Sequence, residues 1–177
     1  GVGMRVEAQQ KLFVQMHYLN TNPTESIQAH VVINADTFED GESFQQAAAY
    51  VTYHTDIDLM PGETETVSGT CDVPADAQFF LLSTHAHRFT QRTWVEDGDV
   101  MVFESEDWEH PIPRAWDATP FFQFESGSLT YSCTANNTSA NRVQTGDSAA
   151  TDEMCIAVGY FFPATGSKLC VNSFVVQ

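Results

Sequence analysis

The chain has 177 residues, with 24 acidic side chains against 7 basic ones and a formal net charge of −17. Two lysines and five arginines cannot neutralise a run of phosphates, which excludes nucleic-acid binding, and the same charge opposes attraction to an anionic membrane surface. A content of 42% hydrophobic and 12% aromatic residues supports a folded core, and no apolar stretch approaches the roughly 20 residues of a spanning helix, so disorder and a membrane span are excluded too.

Gly1-Val2-Gly3 opens the chain without an initiator Met, a basic n-region or an apolar h-region, which reads as a chain processed or cut from something longer. Strand formers then dominate Lys11–Tyr18, Ala29–Ile33, Ala48–Thr55, Phe79–His87, Arg92–Val95, Val100–Glu104, Phe121–Phe124, Ser128–Cys133, Cys155–Phe162 and Ser173–Val176. Turn signals separate them at Asn20–Pro23, Glu39-Asp40-Gly41, Met60-Pro61-Gly62 and Glu125-Ser126-Gly127, and Glu96-Asp97-Gly98-Asp99 has the form of a tight hairpin. Glu104–Trp116 reads as an ordered connection packed by its aromatics, and Asn136–Asp152 as a long exposed loop. No capped 3.6-residue apolar stripe is sustained. About ten short strands with frequent turns predict an all-β protein, an antiparallel sandwich or barrel.

Cys71, Cys133, Cys155 and Cys170 form no CxxC pair, so two disulfides are a better reading than a thiolate zinc site, and disulfides place the chain in an oxidising, extracytoplasmic compartment. Asn136-Asn137-Thr138-Ser139 contains two overlapping glycosylation sequons.

The residues with metal chemistry lie at strand ends. In Thr84-His85-Ala86-His87, the i and i+2 histidines of a strand share one face and can turn both imidazoles to one point; a surface pair is the alternative. Met154 opens the most hydrophobic strand, where a thioether is either a core side chain or a soft ligand that would select copper. His17 is open between a packed histidine and a ligand. His30, His54 and His110 have no partner spacing and read as structural or surface residues.

Four segments, in order, resemble the copper type II, ascorbate-dependent monooxygenases, which include the peptidylglycine α-hydroxylating and dopamine β-hydroxylating enzymes. Gly1–Val6 followed by Leu12–Tyr18 is similar to the family segment ending in Gln-x-His-Tyr. Met60-Pro61-Gly62-Glu63 before Cys71 resembles its Pro-Gly turn and cysteine. Ser83–His87 resembles the His-x-His of its second copper domain, and Asp152-Glu153-Met154-Cys155 its Asp-Glu-Met-Cys.

The resemblance implies a jelly-roll-like β-sandwich with disulfides Cys71–Cys170 and Cys133–Cys155. Residues 1–35 would be the final strands of an otherwise missing first copper domain, and 36–177 the C-terminal copper domain. His85, His87 and Met154 would hold the copper at which O2 binds and a substrate C–H bond is hydroxylated. His17 would be one ligand of a second copper, and ascorbate or a similar reductant would supply electrons. A histidine ligates only when neutral, so copper affinity is expected to fall below about pH 6.

Two positions depart from the family pattern. No His-His pair accompanies His17. Ser83 and Val158 stand where the peptide-amidating members carry the Arg and Tyr that anchor a substrate carboxylate, so peptidylglycine is a poor fit and an unidentified, smaller or apolar organic substrate is expected. The competing readings are a non-enzymatic extracytoplasmic copper-binding protein and a partner-binding β-sandwich with incidental histidines.

Overall fold

Alternation of buried and half-buried side chains runs through the strongest strand segments, and these become the centre of a β-sandwich in the computed structural model, which describes residues 1–11, 13–14, 20 and 22–176. Its strands, in chain order, are β1 (Val2–Gly3), β2 (Gln45–Gln46), β3 (Ala48–Tyr53), β4 (Asp58–Leu59), β5 (Thr64–Asp72), β6 (Gln78–Ala86), β7 (Thr90–Asp97), β8 (Val100–Ser105), β9 (Arg114–Ala115), β10 (Ser128–Asn136), β11 (Val143–Gln144), β12 (Cys155–Phe162), β13 (Lys168–Val171) and β14 (Phe174–Val175). There is no helix among the described residues, hence none long and apolar enough to cross a membrane.

One sheet has the order β14-β13-β3-β12-β6-β9 and the other β5-β10-β7-β8. Their inner faces supply one core, with Tyr50, Phe79, Leu82 and Phe161 from the first sheet and Val95, Leu129 and Tyr131 from the second. Gly159 is required by this packing: a Cβ there would come within 2.7 Å of Leu82 Cδ2 and 2.8 Å of the Phe79 ring. Gly98, at φ +57°, makes the tight β7–β8 turn that the sequence predicts.

Both disulfides run between the sheets. Cys71 of β5 joins Cys170 of β13, and Cys133 of β10 joins Cys155 of β12, in the pairing that the family resemblance implies. They tie the two sheets at two separate places, one on the edge strand β5 and one at the start of β12.

Several sequence expectations change. β5 and β13 are strands that apolar patterning misses. In β5 only Val67 and Cys71 are sizeable apolar residues facing inward, and its other face pairs hydroxyls with β10: Thr66–Thr134 at 2.8 Å, Ser68–Ser132 at 2.7 Å and Thr70–Thr130 at 2.9 Å. Phe121–Phe124 makes an isolated bridge, Phe122 to Phe79, rather than a strand. The connection before it is packed by aromatics as expected, with Trp116 stacked on Phe122 at 5.0 Å between centroids.

Ala29–Ile33 is exposed and forms no strand, because no neighbouring strand hydrogen-bonds to it; Lys11, Phe13 and Val14 are likewise outside any strand, and the rest of that predicted strand lies outside the described residues. Asn136–Asp152 is not a free loop. β11 within it pairs with β4, Val143 is buried, and Asn137 is fully buried.

Candidate metal centre

β6 belongs to one sheet and β7 to the other, so the chain crosses between sheets at His87-Arg88-Phe89. The Thr90 N–H donates to the His87 carbonyl at 3.1 Å and tightens this corner. The His-x-His spacing therefore straddles a strand end: His85 is exposed on β6, while His87 is only 1% exposed beyond its last residue. The two rings nevertheless lie side by side, with centroids 5.3 Å apart and planes at 88°.

The start of β12 comes to the same corner. Cys155 pairs with Ala86 and Ile156 with His85, so Met154 precedes the residue opposite Ala86, and it is half-buried. Glu153, immediately before it, is completely buried. Its Oε1 accepts the N–H of His87 at 2.5 Å and of Met154 at 2.8 Å, and its Oε2 accepts the N–H of Phe89 at 3.0 Å. Burial pushes the Glu153 carboxyl above the ordinary carboxylate range, and these three N–H groups pull in the opposite direction.

The His87 ring has an asymmetric setting. Nδ1 lies 3.1 Å from the carbonyl oxygen of Asp152, a pure acceptor, so the proton sits on Nδ1 and the Nε2 lone pair is free. Nε2 is buried and has no hydrogen-bond partner among the described residues. A buried imidazole nitrogen left in this state is costly unless something occupies it, and a far nitrogen hydrogen-bonded to a backbone carbonyl is the arrangement that metal-ligating histidines share.

The loop carrying the second half of the corner is ordered by its own acids. Asp152 accepts the Ser148 N–H at 3.1 Å and the Thr151 hydroxyl at 2.9 Å, and the Glu153 N–H donates to the Gln144 carbonyl of β11 at 2.9 Å. In the sequence, Asp152 and Glu153 stand out only as parts of the Asp-Glu-Met-Cys motif. The signal of their roles was local: an acid directly before a strand as apolar as Cys155–Phe162 must be either exposed or fully hydrogen-bonded.

The other candidates separate as follows. His54 is buried with both ring nitrogens engaged, Nδ1 with the Asp56 N–H at 3.3 Å and Nε2 with the Ser68 carbonyl at 3.3 Å, so it is structural. His30 is exposed, and His110 is exposed 3.7 Å from Asp107. His17 lies outside the described residues. Ser83 and Val158 face each other directly across β6 and β12. Among the described residues, no three His, Cys, Asp or Glu side chains gather as a metal cluster, and two imidazoles with a thioether are a set of another kind.

The chain is thus an all-β sandwich, stapled by two disulfides between its sheets, with the buried ring of His87, held on Nδ1 by the Asp152 carbonyl, beside the imidazole of His85. Residues 46–176 match the family model of the copper type II ascorbate-dependent monooxygenase, C-terminal domain, and the chain belongs to that family. No curated protein matches the chain.

Proposed function

We propose that this chain is the copper-binding catalytic domain of a monooxygenase, with His85, His87 and Met154 as the ligands. The observation that carries the reading is the buried Nε2 of His87, unpartnered among the described residues and aimed by the Asp152 carbonyl on its far nitrogen. Two imidazoles and a thioether are a donor set suited to copper, and particularly to Cu(I). Copper bound there would supply the O2-dependent hydroxylation of a substrate C–H bond, drawing electrons from ascorbate or a similar reductant.

The protein's own part is preparation. Asp152 holds the His87 tautomer, the β6–β12 register keeps His85 beside the start of β12, and the Cys133–Cys155 bridge anchors the residue after Met154. Ser83 and Val158 offer no cation to a substrate carboxylate, which supports a smaller or apolar organic substrate. Residues 1–35 belong with the last strands of a preceding copper domain: Val6, Phe13, Val32 and Ile33 are strand-forming yet 73%, 84%, 69% and 57% exposed. The disulfides support a secreted, periplasmic or luminal location.

Copper titration with X-ray absorption tests the centre. One Cu(I) per chain, with both nitrogen and sulfur scatterers and lost on His85→Ala plus His87→Ala, is expected. Stoichiometric binding that survives the double substitution would refute the assignment.

A further inference from the structure

Glu153 is an unusual residue for the end of a sandwich core. A buried carboxylate is unfavourable unless hydrogen bonds replace its water, and an apolar side chain would fill the same volume without that demand. Here both oxygens are engaged by main-chain N–H groups from two separate segments. One atom, Oε1, accepts from His87 at 2.5 Å and from Met154 at 2.8 Å. Those are the residues that, in the reading above, hold the metal from opposite sides of the corner.

We propose that Glu153 is the positioning residue of the copper centre, a carboxylate clamp that fixes the His87 and Met154 backbones at one spacing before any metal arrives. The inference rests on the ligand assignment in the proposed function. Glu153 itself touches neither metal nor substrate. It acts through two backbones, while Phe89 on Oε2 keeps the carboxylate from rotating away. The same segment reinforces the clamp: the Asp152 carbonyl holds the ring of His87, and the Glu153 N–H is anchored on Gln144.

The chemistry of the clamp requires glutamate. A carboxylate is acceptor-only and has about four lone-pair sites, enough for three N–H groups. Glutamine keeps the length but offers one acceptor oxygen, and its amide turns a donor toward one of the N–H groups. Aspartate keeps the acceptors but is one methylene short of the corner.

The test compares Cu(I) affinity, by competition with a chromophoric chelator, and Cu(I) X-ray absorption in wild type and Glu153→Gln. Leu129→Ala, a core truncation in the other sheet, serves as a destabilised control. Glu153→Gln is expected to weaken Cu(I) binding about 10–100-fold and to reduce sulfur scattering, the size of effect typical of residues behind metal ligands. Leu129→Ala is expected to lower the melting temperature with unchanged copper affinity.

A Glu153→Gln protein that binds Cu(I) as wild type does, with unchanged sulfur scattering, overturns the clamp and leaves the ligand assignment intact. A wild-type protein that binds no Cu(I) through His87 overturns the ligand assignment itself, and the clamp's role with it. Should the variant not fold, amide hydrogen exchange in the metal-free wild type decides. Protection of the His87, Phe89 and Met154 amides is expected, and exchange as fast as at the exposed Gly41 turn overturns the clamp.

Discussion

The Nδ1 atom of His87 lies 3.1 Å from the main-chain oxygen of Asp152, two residues before Met154. A carbonyl can only accept, so this contact sets the imidazole proton on Nδ1 and presents Nε2 as a lone pair. The segment that fixes the ring of His87 thus runs directly into Met154, so the β6–β7 corner and the start of β12 are held together at this point.

Met154→Leu keeps the volume of the side chain and removes only the thioether. Cu(I) affinity is expected to fall more than Cu(II) affinity, because a soft sulfur donor favours the lower oxidation state. Parallel competition titrations of the two oxidation states check this, and equal losses would argue that Met154 is core and not ligand.

The two disulfides are expected to have different consequences. In the chain-entropy view, removing Cys71–Cys170, with a sequence separation of 99, costs up to about 5 kcal/mol, and removing Cys133–Cys155, with a separation of 22, up to about 3 kcal/mol. The smaller loss falls beside Met154, so replacing Cys133 and Cys155 by serine should weaken copper binding as well. The Cys71/Cys170 serine variant should lose more stability and keep its copper affinity, provided it still folds. Denaturant titration and copper competition on both variants give the comparison.

Asn137 is fully buried and holds the 136–152 segment together. Its Nδ2 donates to the Leu59 carbonyl at 3.0 Å and the Asn141 carbonyl at 2.7 Å, while Oδ1 accepts the N–H and hydroxyl of Ser139. Asn137→Ala removes the donor to the buried Leu59 carbonyl and the acceptor of Ser139, and is expected to destabilise the fold by about 1–3 kcal/mol. Asn137→Asp should be no milder, since a carboxylate would face two carbonyl oxygens. Urea unfolding of both variants measures the effect. The same burial removes Asn137 as a glycan acceptor in the folded protein, although the sequence places it in a sequon.

Alkaline pH should loosen the sandwich through Tyr131. Burial, opposed by a Thr52 hydrogen bond and reinforced by the Asp56 charge, pushes its phenol up to about 12, and the hydroxyl donates to the Asn172 carbonyl at 2.9 Å. The unfolded chain releases this proton near the ordinary value of about 10, so the folded state holds more protons between the two. The contribution is complete below about pH 10 and is lost as pH rises toward 12. Tyr131→Phe should flatten the stability decline across that window in denaturant titrations at pH 9 to 12.

The parts of the fold visible in the sequence are those with dense runs of strand-forming residues. β3, β6, β7, β8, β10 and β12 lie within a few residues of such runs, and β3 and β12 add a clean alternation of burial. β5 escapes apolar patterning because its partner-facing side chains are threonine and serine, whose contribution depends on hydroxyls of β10 that lie 60, 64 and 68 residues away. Ala29–Ile33 shows the opposite error: strand propensity without a strand beside it yields no strand.

At the candidate centre, the His85–His87 spacing and the Asp-Glu-Met-Cys run were legible as residues, and the disulfide pairing came with the family resemblance, not with the spacing. The burial of His87 against the exposure of His85 was not legible, because it depends on β6 ending at Ala86, where the chain turns to the second sheet.

The sequence by itself determined the all-β class, the cross-strand hairpin at Gly98 and the family, since backbone periodicity, turn chemistry and short motifs are properties of neighbouring residues. Only the tertiary structure decided the tautomer of His87 and the burial of Glu153. Both depend on polar atoms brought together from segments about 65 residues apart, because a carboxylate or an imidazole N–H buried in a sandwich needs hydrogen-bond partners that only the fold supplies.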